Sequence, residues 1–256
     1  MFRESFERIT GVSTNTEKSK GLSRLWEIIM DNTAHFFISS LFCVLSFIPA
    51  GLGIFYSLSI NNIIVLFISS IIGCAIFGLF YGTMINGMLI AMRDETGDWL
   101  KKYSHALKRD FKDNMIAGAL VGLILFIGIY VLCLIKTGST LPVSMIACTA
   151  VTILVALAIF TYLWPQRVFF DLKLLDIIRN SIFMSLAHPL VTLSAILVQI
   201  IYWSILILLV PYSIIFLVIF GLWFPALLSI FITYNKMNTE FHIEEKLGIN
   251  NIDDKQ

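Results

Sequence analysis

The residue types that carry chemistry are sparse in this chain, and their spacing does not indicate a catalytic site. Four histidines share no metal-ligand spacing: His35, His105, His188 and His242. Four cysteines lie singly inside apolar runs: Cys43, Cys74, Cys133 and Cys148. No phosphate-binding loop, nucleophile elbow, zinc-protease helix motif or dinucleotide fingerprint is present. We therefore predict that the protein is not an enzyme and that it uses no cofactor or metal.

Two amides, Asn86 and Gln199, lie deep within apolar stretches. A buried amide in lipid needs a partner on a neighbouring helix, and such a hydrogen bond contributes roughly 0.6–2 kcal/mol. Both residues could simply join helices, or both could line a polar pathway for a substrate. Pro49 and Pro225 interrupt two apolar stretches and could open backbone carbonyls to such a pathway, or could be tolerated kinks.

The composition indicates that lipid surrounds most of the chain. Of the 256 residues, 58% are hydrophobic and 14% are charged, whereas a soluble domain carries about 45–50% apolar and about 25% charged residues. The net charge is only +1, so there is no electrostatic case for binding nucleic acid.

The apolar residues fall into about six stretches, each near the length of about 20 residues that crosses a bilayer as a helix. We predict spans at 36–58, 63–92, 115–135, 141–164, 188–210 and 212–234. The last two are separated only by a turn at Pro211, which could instead kink one helix. No Asp, Glu, Lys or Arg lies inside these spans, which argues against a pump with a buried carboxylate.

Lysine and arginine set the predicted orientation. All 18 except Lys136 fall on one side of the predicted spans. The positive-inside rule assigns that side to the cytoplasm, so both termini are predicted to be cytoplasmic in a multi-pass cell-membrane protein. His35 and His188 then lie at the cytoplasmic ends of the first and fifth spans, where each could titrate or could be a hydrogen-bonded anchor.

Amphipathic stretches precede the odd-numbered spans, at Leu22–Met30, Asp98–Asp113 and Arg167–Arg179. Their basic residues suit anionic lipid headgroups and their aromatic residues suit the interface. Each stretch leads to an asparagine at the junction with the span: Asn32, Asn114 and Asn180. These asparagines could cap the transmembrane helices, or could form a polar ring on the cytoplasmic side.

The predicted fold is therefore an all-α polytopic membrane protein, with about six transmembrane helices arranged as three hairpins and with cytoplasmic interfacial helices. Residues 1–31 are a polar N-terminal segment with a short amphipathic helix, residues 32–234 form the transmembrane domain, and residues 235–256 are a polar tail. Five aromatic residues are predicted as interface anchors or lipid-facing bulk: Trp164, Trp203, Trp223, Tyr130 and Tyr202.

The chain resembles the YesL-type membrane proteins, a bacterial group. The resemblance lies in Leu25-Trp26 before Asn32, in Phe47-Ile-Pro49-Ala-Gly51 in the first span, and in the segment from Ala106 to Asn114 that leads into the third. It implies a bacterial cell membrane and a role near carbohydrate uptake, since such proteins are often encoded beside sugar ABC transporters. It implies no catalytic or binding residues.

Two functions follow as hypotheses. The first is a non-enzymatic accessory component of a transport or envelope system, with ABC transporter components or a second copy of the chain as partners and the basic amphipathic stretches as docking surfaces. The second is a small-molecule transporter or channel subunit in which Asn86 and Gln199 help to line the path.

Overall fold

The computed structural model describes residues 21–93, 98–138, 141–170, 172–209, 212, 217 and 220–243, and these are almost entirely helical. Eight helices are described: α1 Leu22–Ser59, α2 Ile63–Met92, α3 Trp99–Arg109, α4 Phe111–Lys136, α5 Val143–Phe169, α6 Leu174–Ala187, α7 Pro189–Leu208 and α8 Trp223–Phe241. Of these, α1, α2, α4, α5 and α7 are long and apolar enough to cross a membrane. The chain is thus an all-α, multi-pass membrane protein.

Helix α1 joins two elements that the sequence pattern separates. It runs for 38 residues from Leu22 to Ser59, so the amphipathic stretch Leu22–Met30 is its first part and the helix continues through the predicted boundary at residue 31. No glycine or proline lies between Leu22 and Ile48 to stop the helix. Pro49 lies inside the helix and does not end it.

Helix α2 has the predicted bounds and occupies the centre of the bundle, packed against α1 and α4. Asn62 caps it, because its side-chain oxygen accepts hydrogen bonds from the N–H groups of Ile64 at 3.0 Å and Val65 at 3.2 Å. A Cβ atom added to Gly78 or Gly118 would overlap the backbone of the opposite helix. Close approach of α2 and α4 therefore requires glycine at both positions.

The stretch Asp98–Asp113 divides at Asp110, where α3 ends and α4 begins. Asp98 caps α3 by accepting a hydrogen bond from the N–H of Leu100 at 3.1 Å. The stretch Arg167–Arg179 divides in the same way, because α5 continues through Phe169 and α6 starts at Leu174. Both predicted amphipathic stretches thus contain the end or the start of a long helix.

The predicted sixth span, 212–234, lies partly outside the described residues, as does Pro211. In the described part, α8 begins at Trp223 and continues to Phe241, past residue 235, where the polar tail is predicted to start. The first 20 residues and residues 244–256 also lie outside the described part.

Helix termini converge at one end of the bundle, which we call the basic end. Arg24 of α1 donates a hydrogen bond to the carbonyl of Met92 at the end of α2, at 3.4 Å. The side chains of Arg93 and Phe169 bring together the ends of α2 and α5. His188, at the start of α7, bonds Glu240 near the end of α8 at 3.1 Å.

Candidate functional site

Charged side chains at the basic end are buried rather than solvated. Arg93 is 1% exposed, and Asp110 and Arg167 are also buried. Arg167 forms an ion pair with Asp113 and donates to the carbonyl of Leu172 at 2.8 Å. Arg109 pairs with Asp110 at 2.7 Å. Because an uncompensated buried charge is costly, the pair between Arg167 and Asp113 holds the end of α5 to the start of α4.

Arg93 contributes through its guanidinium group, which lies 5.2 Å from the centre of the Phe169 ring. This distance is typical of a cation–π contact. Its Nε atom also donates to the carbonyl of Leu89 at 3.1 Å. Beside Arg167, Gln166 is fully buried, and neither of its amide atoms has a hydrogen-bond partner among the described residues.

Helix α3 packs against α2 and is joined to α1 by aromatic contacts on its inner face. Trp99 stacks on His35 with ring centres 5.2 Å apart, and Tyr103 packs against Phe42 at 5.8 Å. The Tyr103 hydroxyl is buried and has no partner among the described residues. Burial, with a smaller electrostatic contribution from Cys43, raises the pKa of Tyr103. The inner face of α3 is therefore an aromatic contact with α1 in which Tyr103 is buried.

The remaining surface of α3 is open, and we define the α3 surface as Leu100, Lys101 and Lys108. Lys101 has 86% of its side chain exposed, and Lys108 is also exposed. Leu100 is 62% exposed. An apolar side chain next to exposed lysines matches what an interfacial helix presents to a membrane surface or to an acidic partner.

A second polar arrangement lies deeper in the bundle, where α8 begins. Gly221 adopts a left-handed conformation with φ of 48°. The N–H of Leu222 donates to the Ser40 hydroxyl at 2.8 Å, and the Tyr202 hydroxyl donates to the Gly221 carbonyl. A Cβ atom at Gly221 would overlap the Ser40 hydroxyl. The backbone here departs from a helix, and side chains from α1 and α7 satisfy its polar groups.

This break lies at membrane depth. At 1.5 Å per residue, Tyr202 is about 20 Å along α7 from Pro189, and Ser40 is about 24 Å along α1 from Arg24. Pro189 and Arg24 both lie at the basic end. Irregular backbone at such depth occurs where protein buries it or where it lines a cavity. At Gly221 and Leu222 the protein buries it, since both residues are shielded.

The structure separates the residues that the sequence singled out. Gln199 donates to Ser229 at 3.2 Å and so joins α7 to α8, whereas Asn86 is buried in α2. His35 lies against Trp99, and His188 bonds Glu240.

The three junction asparagines are not caps. Asn32 lies inside α1 and donates to the carbonyl of Ile28 at 3.2 Å. Asn114 lies inside α4, packed over Gly82, and Asn180 lies inside α6. Each helix starts before its asparagine: α1 at Leu22, α4 at Phe111 and α6 at Leu174. Asn114 is buried while Asn32 and Asn180 are half-buried.

Several residues that pack the core or bond the break at Gly221 were not apparent from the sequence. Trp164 and Trp223, predicted as interface anchors or lipid-facing bulk, are buried in the core, and Trp223 stacks on Phe36 at 5.6 Å. Tyr202 bonds the break rather than anchoring in headgroups. The available signal was Gly221, a glycine in the middle of an apolar run. Nothing in the sequence distinguishes Ser40 from Ser39 and Ser46, whose hydroxyls donate only to carbonyls of α1.

No family model, curated protein or solved structure matches the chain. Within the described residues, no three His, Cys, Asp or Glu side chains are grouped so that they could hold a metal ion.

Proposed function

We propose that the protein is a non-enzymatic membrane component that acts through its basic end, as an accessory subunit of a transport or envelope system. The α3 surface is the docking site for an acidic partner, and the basic end faces the cytoplasm. The resemblance to YesL-type proteins is consistent with a sugar-uptake system as the setting.

The observation that carries this proposal is that α3 is packed on the bundle by one face and exposes lysines on the other. Trp99 and Tyr103 fix its inner face on α1, while Lys101 and Lys108 point away from the bundle. A surface whose backbone is already ordered loses little conformational entropy when a partner binds. Exposed lysines also speed association with an acidic surface and select for it.

Crosslinking in native membranes, with a double Lys101→Glu and Lys108→Glu variant, tests the docking site. The expected result is loss of a specific partner that the unaltered protein retains. Lys136→Glu is the matched control, because Lys136 is exposed at the opposite end of α4. If the double variant, with unchanged helix content, retained every partner, α3 would not be the docking site. If it lost only co-purifying anionic lipid, α3 would be a membrane contact instead.

A second candidate is a small-molecule pathway through the bundle, and the break at Gly221 favours it. Transporters often bind substrate at discontinuous helices near the bilayer midplane. The Gln199–Ser229 bond lies on the same pair of helices. Solute flux in proteoliposomes that falls on Gln199→Leu and Asn86→Leu would support this candidate. Flux that ignores both changes would remove these residues from the path.

A further inference from the structure

Helix α6 packs on the bundle by one narrow face and leaves an apolar face uncovered. Ile177, Ser181 and Met184 are buried, and α5 is the helix that they pack against. On the opposite side, Leu175 is 74% exposed and Leu186 is 76% exposed. Exposed apolar side chains that share one face mark a surface that contacts a membrane or another apolar surface. In a multi-pass membrane protein, this face of α6 is continuous with the lipid-facing surface of the spans.

Arg179 lies within this apolar face. It is itself exposed, and it lies one turn after Leu175 and one turn before Phe183, which is 62% exposed. Side chains at this spacing are neighbours on one side of a helix. None of the ion pairs in the described part of the chain includes Arg179 or Asp176, the half-buried carboxylate three residues before it. An arginine among side chains that contact lipid is paired most favourably by an anion of the lipid itself.

Helix α6 runs back along the end of α5. It begins at Leu174, shortly after α5 ends at Phe169. The Ser185 hydroxyl donates to the carbonyl of Ala158, about three turns before that end, at 3.3 Å. Helix α6 therefore lies beside the last turns of α5, and Arg179 lies about midway along this contact.

This position corresponds to the edge of the hydrocarbon layer on the side of the basic end. The layer is about 30 Å thick and takes about 20 residues of helix. Counted from Val143, the first residue of α5, the layer ends near Leu163. That residue is about halfway between Ala158 and Phe169, at the level of Arg179. Lipid headgroups lie just outside this edge, within reach of a long basic side chain.

We propose that Arg179 binds the phosphate of an anionic phospholipid at the basic end, with Leu175, Phe183 and Leu186 against its acyl chains. The guanidinium group donates two hydrogen bonds to phosphate oxygens, and its charge is complementary to a headgroup that carries no cation. A zwitterionic lipid binds less well, because its own ammonium group competes for the phosphate. The site does not depend on docking at the α3 surface.

Nitroxide-labelled lipids test this site in the complete chain in nanodiscs. The reporter is a fluorophore attached at Phe183→Cys, one turn from Arg179. The background removes the four native cysteines: Cys43→Ala, Cys74→Ala, Cys133→Ser and Cys148→Ser. The nanodiscs hold equal amounts of phosphatidylglycerol and phosphatidylcholine, and the acyl chain of one or the other carries the nitroxide that quenches the fluorophore. We expect phosphatidylglycerol to be enriched roughly fivefold beside the label, the preference that one basic residue near the membrane surface provides.

Arg179→Gln should make the two lipids quench the label equally. Lys101→Gln is the matched control, because Lys101 is an exposed basic residue of α3 at the same end of the bundle, and it should leave the preference unchanged. Equal quenching by both lipids in the parent would overturn the site. An equal loss of preference in the two variants would also overturn it, because the general charge of the basic end would then attract the lipid. Absence of quenching by either lipid would show that protein covers this face of α6 and would overturn the proposal as well.

Discussion

The Ser40 hydroxyl accepts a hydrogen bond from the backbone N–H of Leu222 at 2.8 Å, although 182 residues separate them in the chain. Ser40 belongs to the first transmembrane helix and Leu222 to the start of the last described one. The bond thus links the beginning and the end of the described fold at membrane depth. It also gives a hydrogen-bond partner to the N–H of Leu222, which lipid could not provide.

Removing this hydroxyl is expected to weaken the fold more than removing its neighbours. Ser40→Ala should lower the free energy of unfolding by about 1 kcal/mol, the typical net value of such a bond. Ser46→Ala should lower it by less than Ser40→Ala does, because the Ser46 hydroxyl bonds only a carbonyl of its own helix and alanine favours the helix. Unfolding in mixed detergent micelles measures both. Equal losses would mean that the link to Leu222 adds no stability.

The close contact of α2 and α4 at Gly78 and Gly118 predicts that two glycine-to-alanine changes will differ in their effect on stability. Gly118→Ala should destabilise the protein by roughly 1–3 kcal/mol, because its Cβ would overlap the Cys74 carbonyl. Gly51→Ala should be neutral or stabilising, because nothing lies within 4 Å of its Cβ position and alanine favours a helix. The same micelle unfolding assay compares them. A tolerated Gly118→Ala would show that α2 and α4 can move apart at little cost.

Two ion pairs at the basic end should contribute different amounts to the free energy of unfolding. Asp113→Asn removes the carboxylate that pairs with the buried Arg167 and should cost about 1–3 kcal/mol, below the cost of breaking a fully buried pair, because the Asp113 side chain is 40% exposed and solvent screens it in part. Asp98→Asn removes an exposed pair with Lys101 at 3.6 Å and should cost at most about 1 kcal/mol. The Asp98 side chain can still cap α3 as an amide. Similar losses for the two variants would indicate that solvent screens the Arg167 pair.

Tyr103 predicts an alkaline weakening of the contact between α3 and α1. An unfolded tyrosine ionises near pH 10, and burial raises the pKa of Tyr103 above that value. The stabilising effect is therefore complete below pH 10 and is lost as the pH rises towards the raised pKa. Tyr103→Phe should remove this loss. Because the hydroxyl has no partner among the described residues, the variant should be as stable as the parent at neutral pH. Unfolding curves from pH 8 to 11 test both statements.

Sequence reasoning succeeded where one local signal decides the structure. The long apolar run of α2, bounded by Asn62 and Arg93, gave both helix ends. It failed where helices continue through polar segments, as at Asn32, because an asparagine after an amphipathic stretch looks like a cap until the preceding turn proves helical. The charges of Arg93 and Arg167 indicated which end is basic. Their burial depends on α5 packing against α2 and α4, which no local pattern encodes.

The continuity of α1 has a mechanical consequence. Its 38 residues form a rod about 57 Å long, with Trp26 exposed near one end and Ser40 inside the bundle. Trp26 and Ser40 lie on one uninterrupted helix, so turning α1 about its axis would move the Ser40 hydroxyl relative to Leu222. A molecule that binds Trp26 outside the hydrocarbon layer would therefore act on the interior of the protein through α1.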